Sequence, residues 1–210
     1  MIFSNRFSDL TKAIETCLYF SEENQISEEN AFYQALEMIE TTRSQNGIVY
    51  VIGNGGSAGI ASHFSTDLIK SLQIPSQTLY DSNLMTCLSN DYGYDTVFSY
   101  PLEKLLKPQD LLVAISSSGK SPNIIKGVQA AILRKASVFT LSGFSEQNPL
   151  KKLGNLNYWV DRCDYGLVET SHFFLLHTLI DLWNENAPKE AKHAKIVGNT
   201  DAKDQISARN

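Results

Sequence analysis

Cysteine is scarce and unpatterned. Cys17, Cys87 and Cys163 are an odd number at unrelated spacings with no CxxC, which excludes a disulfide frame or a zinc knot and predicts reduced, partly buried thiols. Basic residues are outnumbered, with 18 Lys and Arg against 23 Asp and Glu, and the net charge of −5 argues against a nucleic-acid surface. No apolar run approaches the length of a membrane span, and the opening MIFSNRFSDL lacks the basic-then-apolar order of a signal peptide. Together these shortages predict a cytoplasmic protein with neither a membrane nor a nucleic acid as partner. Internal repeats and low-complexity blocks are missing too.

What is present is ordinary globular material. A length of 210 residues with 42% hydrophobic content suits one domain with a full core, expected over residues 1–186, with a polar and loosely packed tail over 187–210. Apolar stripes at helical spacing between Phe7 and Arg43 predict two helices broken near Glu23–Ile26, the second starting at Ser27. Gly47–Ile52, Pro75–Leu79, Leu111–Ile115, Ser137–Leu141 and Asn157–Val160 read as short strands. Helices are expected over Asn83–Leu88, Val97–Leu106, Ser121–Arg134 and Val168–Trp183. Continuously apolar strands alternating with helices indicate an α/β sandwich with a mainly parallel, five-stranded sheet covered on both faces.

Two turns carry the chemical signal. After the third strand, Ser116-Ser117-Ser118-Gly119 leads to Ser121-Pro122 and an aliphatic helix. Such a turn can gather hydroxyls, backbone N–H groups and the partial charge of a helix N-terminus around a phosphate. An ordinary strand-to-helix turn with an N-cap serine fits the same residues. After the first strand, Gly53, Gly55 and Gly56 permit close backbone approach to a ligand. The GxGxxG order fails because Ala58 occupies its third glycine position, and no GxxxxGK[ST] occurs, so neither dinucleotide binding nor nucleotide hydrolysis is indicated.

His63 and Asp67 lie four residues apart on one helix face, and Glu169 and His177 lie eight apart on the last helix, with His172 on a neighbouring face. The four aligned residues suit a divalent metal, zinc being the natural choice for imidazole and carboxylate ligands. They equally suit a metal-free acid–base set, or hydrogen-bonded packing on half-buried helices.

GNGGS followed by HF and an acidic residue, then SNDYG, AISSSGKSPNIIKG and TLSG, together resemble the sugar isomerase (SIS) domain, from about Asn46 to Trp183. They look in particular like the phosphoheptose isomerases, which convert sedoheptulose 7-phosphate to D-glycero-D-manno-heptose 7-phosphate, the first step of heptose precursor synthesis for lipopolysaccharide and other glycans. The resemblance implies a flavodoxin-like three-layer fold with N-terminal helices, a homotetramer with sites between subunits, and one zinc per subunit. It implies substrate binding by Asn54, Gly55, Gly56, Ser57, Asn90, Asp91, Ser116, Ser117, Ser118 and Ser121. His63, Asp67, Glu169 and His177 match the zinc-site positions, with Asp67, Glu169 and His177 as the catalytic set. Asp67 stands where the family typically has glutamate, shortening that arm by about 1.5 Å, and Glu169 stands where it typically has glutamine. An alternative is a non-catalytic SIS protein, either a sugar-phosphate sensor or an oligomeric adaptor of the replication-initiator-associating kind; the paired histidines favour the enzyme.

Overall fold

All five expected strands are present, that at Pro75–Leu79 shortened to Ser76–Gln77, and they lie side by side in one sheet of the computed structural model, which describes residues 2–186. Helix α1 (Ile2–Glu15) leads into a hairpin of β1 (Leu18–Ser21) and β2 (Asn24–Ile26), followed by α2 (Glu28–Ser44). Then come β3 (Val49–Gly53), α3 (Gly56–Leu72), β4 (Ser76–Gln77), α4 (Ser82–Tyr92) and α5 (Ser99–Leu105). The remainder is β5 (Leu111–Ser116), α6 (Pro122–Leu133), β6 (Ser137–Gly143), β7 (Leu156–Val160) and α7 (Tyr165–Asn186). The tail expected to be loosely packed lies outside the described residues.

The sheet order is β2-β1-β7-β6-β5-β3-β4, parallel from β7 to β4 and antiparallel across β7–β1 and β1–β2. From β3 the chain steps outward to β4, then returns to lay β5 on the other side of β3. That reversal opens a crevice at the carboxyl ends of β3 and β5, where open α/β sheets bind ligands. Alternation along the strands supplies two cores. Val49, Val51, Leu111, Val113 and Ile115 pack with residues of α1, α2, α3 and α7, including Phe64, Leu68 and Leu176. Tyr50, Ile52, Leu112 and Ala114 pack on the opposite face with Leu102, Ile124 and Val128.

Two expectations need correction. The sheet has seven strands instead of five, because the supposed break between the N-terminal helices is the β1–β2 hairpin. Its strands are only four and three residues long, and β1 is fixed by pairing with β7, a partner far downstream that local periodicity cannot reveal. Ser27 does start α2, its hydroxyl accepting the Asn30 N–H at 3.3 Å. Of the three cysteines, all free, only Cys17 is buried, and burial pushes its thiol up to about 12; Cys87 and Cys163 are exposed.

Asp110 fastens the base of the sheet. Its buried carboxylate accepts the Ile48 N–H and the Lys107 N–H, both at 2.8 Å, tying the entries of β3 and β5 together. Asp110→Ala strands both donors and is expected to lower unfolding free energy by about 3 kcal/mol in urea titrations. A loss below about 1 kcal/mol would show that solvent replaces the carboxylate.

Candidate active site

Two helices begin at the crevice. β3 ends at Gly53, whose carbonyl accepts the Tyr80 hydroxyl at 3.0 Å, and Gly55 takes φ 53° to turn the chain into α3. β5 ends at Ser116, whose carbonyl accepts the Gly119 N–H at 3.0 Å; Gly119 has φ 62°, and α6 starts at Pro122. A side chain at Gly119 would also collide with Asn148, which is fully buried and bonded to the Gly143 and Ser145 carbonyls. Neither N-cap residue, Gly55 or Ser121, makes a side-chain capping bond, so both first turns offer their partial positive charge to the crevice.

Between these helix starts lies a cleft of about 250 Å³ lined by Asn54, Gly55, Gly56, Ser57, Ser116, Ser117, Ser118 and Ser121, together with Ile115, Tyr165 and Glu169. Ser116 Oγ donates to Ser121 Oγ at 3.3 Å, and Ser118 Oγ accepts the Lys120 N–H at 3.2 Å. Ser117 Oγ is buried without a hydrogen-bond partner, a state that a ligand oxygen would relieve. The structure thus assembles every residue expected of the two turns. A larger cleft of about 620 Å³ lies at the opposite ends of the strands, but its walls carry Glu22, Glu23, Lys135 and Lys152 without convergent helix starts.

Glu169 reaches this cleft from α7. Its carboxylate lies against Gly56 so closely that any side chain there would collide with it, and desolvation raises its pKa above the usual glutamate range. Farther along the same two helices, His63 Nε2 and His177 Nδ1 approach Asp67 Oδ2 at 3.2 and 3.7 Å. Ligand atoms of these three lie within 4.8 Å of one another, and the imidazole rings are 4.9 Å apart, with Phe173 edge-on to both. Tetrahedral zinc holds ligand atoms about 3.3 Å apart, so the group can hold a metal. Glu169, expected as a fourth ligand, is outside it: eight residues of helix carry it about 12 Å from His177 along the axis.

Asn90 and Asp91 are not brought to the cleft by a single chain. They lie exposed at the end of α4, where the Asn90 amide donates to Asp91 Oδ1 at 2.8 Å and Cys87 Sγ is 3.6 Å from Asp91 Oδ2. His172 is a packing residue, fully buried, with Nε2 3.0 Å from the Ser142 carbonyl. The sequence reading passed over Tyr165, Phe173, Tyr94 and Asn123. Only Asn123, the polar residue after Ser-Pro at the start of α6, carried a local signal.

A family description of the SIS domain matches residues 14–143. The chain is 35% identical over 157 residues to a phosphoheptose isomerase of Campylobacter concisus, covering 72% of this chain and 82% of that one. It is 33% identical over 186 residues to the phosphoheptose isomerase of Cytophaga hutchinsonii, covering 86% and 96%. The solved phosphoheptose isomerase of Neisseria gonorrhoeae superposes with a TM-score of 0.74 at 29% identity, covering 86% and 96%.

Burial holds the pKa of His172 down to about 4 from its ordinary 6.5. The unfolded chain therefore binds a proton as pH falls below about 6.5 while the folded chain refuses it until about 4, so stability drops through that window and levels off below it. Wild-type protein is expected to lose about 2 kcal/mol more than His172→Gln between pH 7 and pH 5, read from denaturation midpoints. Equal losses would mean that the imidazole gains access to water in the native state.

Proposed function

The chain belongs to the SIS domain family and is a sugar-phosphate isomerase of the phosphoheptose isomerase kind; from that premise we propose that it converts sedoheptulose 7-phosphate to D-glycero-D-manno-heptose 7-phosphate through an enediol. The observation that carries this reading is the single cleft shared by the serine turn, two helix starts without side-chain caps and the carboxylate of Glu169.

The phosphate is held by Ser116, Ser117, Ser118 and Ser121 with the N-terminus of α6, an arrangement suited to a dianion. Binding energy at this remote group fixes the reacting carbons near α7. Glu169 is the base: it takes the proton from C1 of the ketose and returns it to C2, while a proton passes between O2 and O1 so that the product is the aldose. Its raised pKa suits this duty, because a carboxyl that binds a proton more readily is the stronger base. Asn54 and the glycine turn from Gly55 to Ser57 contact the sugar chain. His63, Asp67 and His177 are the proposed zinc ligands; bound zinc supplies Lewis acidity toward substrate oxygens.

Exposed Ile2, Phe3 and Phe7 on α1 support assembly into a homotetramer, in which Asn90 and Asp91 of one subunit serve a neighbouring cleft. Cytoplasmic heptose precursor synthesis for lipopolysaccharide or a related glycan is the proposed setting. Among the described residues no helix is long and apolar enough to cross a membrane.

Turnover of sedoheptulose 7-phosphate by purified protein, before and after chelation and on return of zinc, tests the reading. Zinc-restored formation of the heptose phosphate is expected; binding without turnover would transfer the protein to the sensor class. Glu169→Gln is expected to lower kcat by about 10²–10⁴ with KM changed little, and His177→Ala to abolish the response to zinc. Full turnover by Glu169→Gln would remove Glu169 from the chemistry.

A further inference from the structure

We propose that Asn123 and Tyr94 are positioning residues that lock the Asn54 amide so that it presents an N–H, never its carbonyl, to the sugar phosphate. The proposal deepens the reading above and rests on it for the nature of the ligand. Asn54 lies half-buried where β3 ends, in the wall of the cleft. Its Nδ2 donates to Asn123 Oδ1 at 2.9 Å, and Asn123 Nδ2 donates back to Asn54 Oδ1 at 2.8 Å.

A reciprocal amide pair has a twin in which both side chains are flipped and both bonds survive, so the pair alone does not fix which atom faces the ligand. A backbone group decides it. Asn123 Oδ1 also accepts the Ile124 N–H at 3.0 Å, a donor it shares with the Ser121 carbonyl at 3.1 Å. A main-chain N–H cannot become an acceptor, and Asn123 is buried among the first residues of α6, so its oxygen is pinned. Asn54 must therefore turn Nδ2 toward that oxygen and Oδ1 toward Asn123 Nδ2. The Tyr94 hydroxyl, 3.1 Å from Asn54 Oδ1, consequently acts as a donor.

The hydrogen-bond inventory then closes. Both lone pairs of Asn54 Oδ1 are taken, one by Asn123 and one by Tyr94, and one Nδ2 hydrogen is spent on Asn123. The remaining hydrogen is the only capacity the amide keeps for a ligand, so the group read there is an acceptor: a phosphate, hydroxyl or carbonyl oxygen. A second contact holds the same segments together, since Lys126 on α6 pairs with Asp95, the neighbour of Tyr94.

Tyr94 is exposed and its hydroxyl can be removed without disturbing the core. Tyr94→Phe is expected to raise KM for sedoheptulose 7-phosphate about fivefold, with a much smaller change in kcat. In an Asn54→Ala background the same change should add less than about twofold, because the residue through which it acts is gone. An undiminished effect in that background, or no rise in KM, would overturn the proposal. A ligand-free readout separates it from the functional reading: the Asn54 side-chain amide resonances, identified by their loss in Asn54→Ala, should shift in Tyr94→Phe and in Asn123→Ala. Unmoved resonances in Tyr94→Phe would overturn the clamp even in an active enzyme. If wild-type protein turns over no sugar phosphate, the substrate assignment fails and the resonances still decide the clamp.

Discussion

The packing of α3 against α7, side by side and running the same way, is the contact on which the rest of the site depends. At one end the Glu169 carboxylate rests on the backbone of Gly56; farther along, His177 meets Asp67. Between them Phe173 sits edge-on to His63, at 5.1 Å between ring centres, and to His177, at 4.6 Å. Both helices are held from behind by the same core, through Ile60, Phe64 and Leu68 on α3 and Val168, Leu175, Leu176 and Leu179 on α7. The polar stripe inherits its geometry from apolar packing that takes no part in chemistry. A substitution in that core that tilted either helix would separate Glu169 from the turns it faces and loosen the His-Asp-His group together.

The cleft proposed to hold the phosphate offers it no cation. Its lining holds hydroxyls, an amide, glycine backbone and two helix starts, and neither Lys nor Arg. That choice has a consequence for Glu169. A lysine within a few ångströms would stabilise the ionised carboxylate and pull its pKa down, weakening it as a base. Neutral donors and helix dipoles can attract an anion while leaving desolvation as the main influence on the carboxyl, which moves its pKa upward.

Much of this was legible in the residues, for identifiable reasons. Four of the five parallel strands, β3, β5, β6 and β7, are largely buried runs bounded by turn residues, whereas β4 is only the polar pair Ser76–Gln77 after Pro75. The serine and glycine turns were legible because Gly, Ser and Pro at those spacings restrict the backbone directly. The β1–β2 hairpin was hidden because β1 is anchored by β7, far downstream, and because its turn runs through a left-handed Glu22 at φ 54° that glutamate does not advertise. Helical periodicity put Glu169 and His177 on one face, yet equal facing says nothing about distance along the axis. Hence the expected four-residue set divides into a carboxylate at the cleft and, beyond it, three residues close enough together to hold a metal. The Asn54–Asn123 pair joins residues on different elements across the switch point, and no single-stretch pattern connects them.

The lengths of the two carboxylate side chains fit the positions they occupy. Asp67 is four residues beyond His63 on the same helix, and a short arm suffices to bring its oxygen 3.2 Å from that ring and 3.7 Å from His177. Glu169 has to cross from α7 to the first turn of α3, and the extra methylene carries its carboxylate onto Gly56. Two groups of one chemical kind thereby occupy different surroundings through side-chain reach, one set between two imidazoles and one partly desolvated beside the serine and glycine turns.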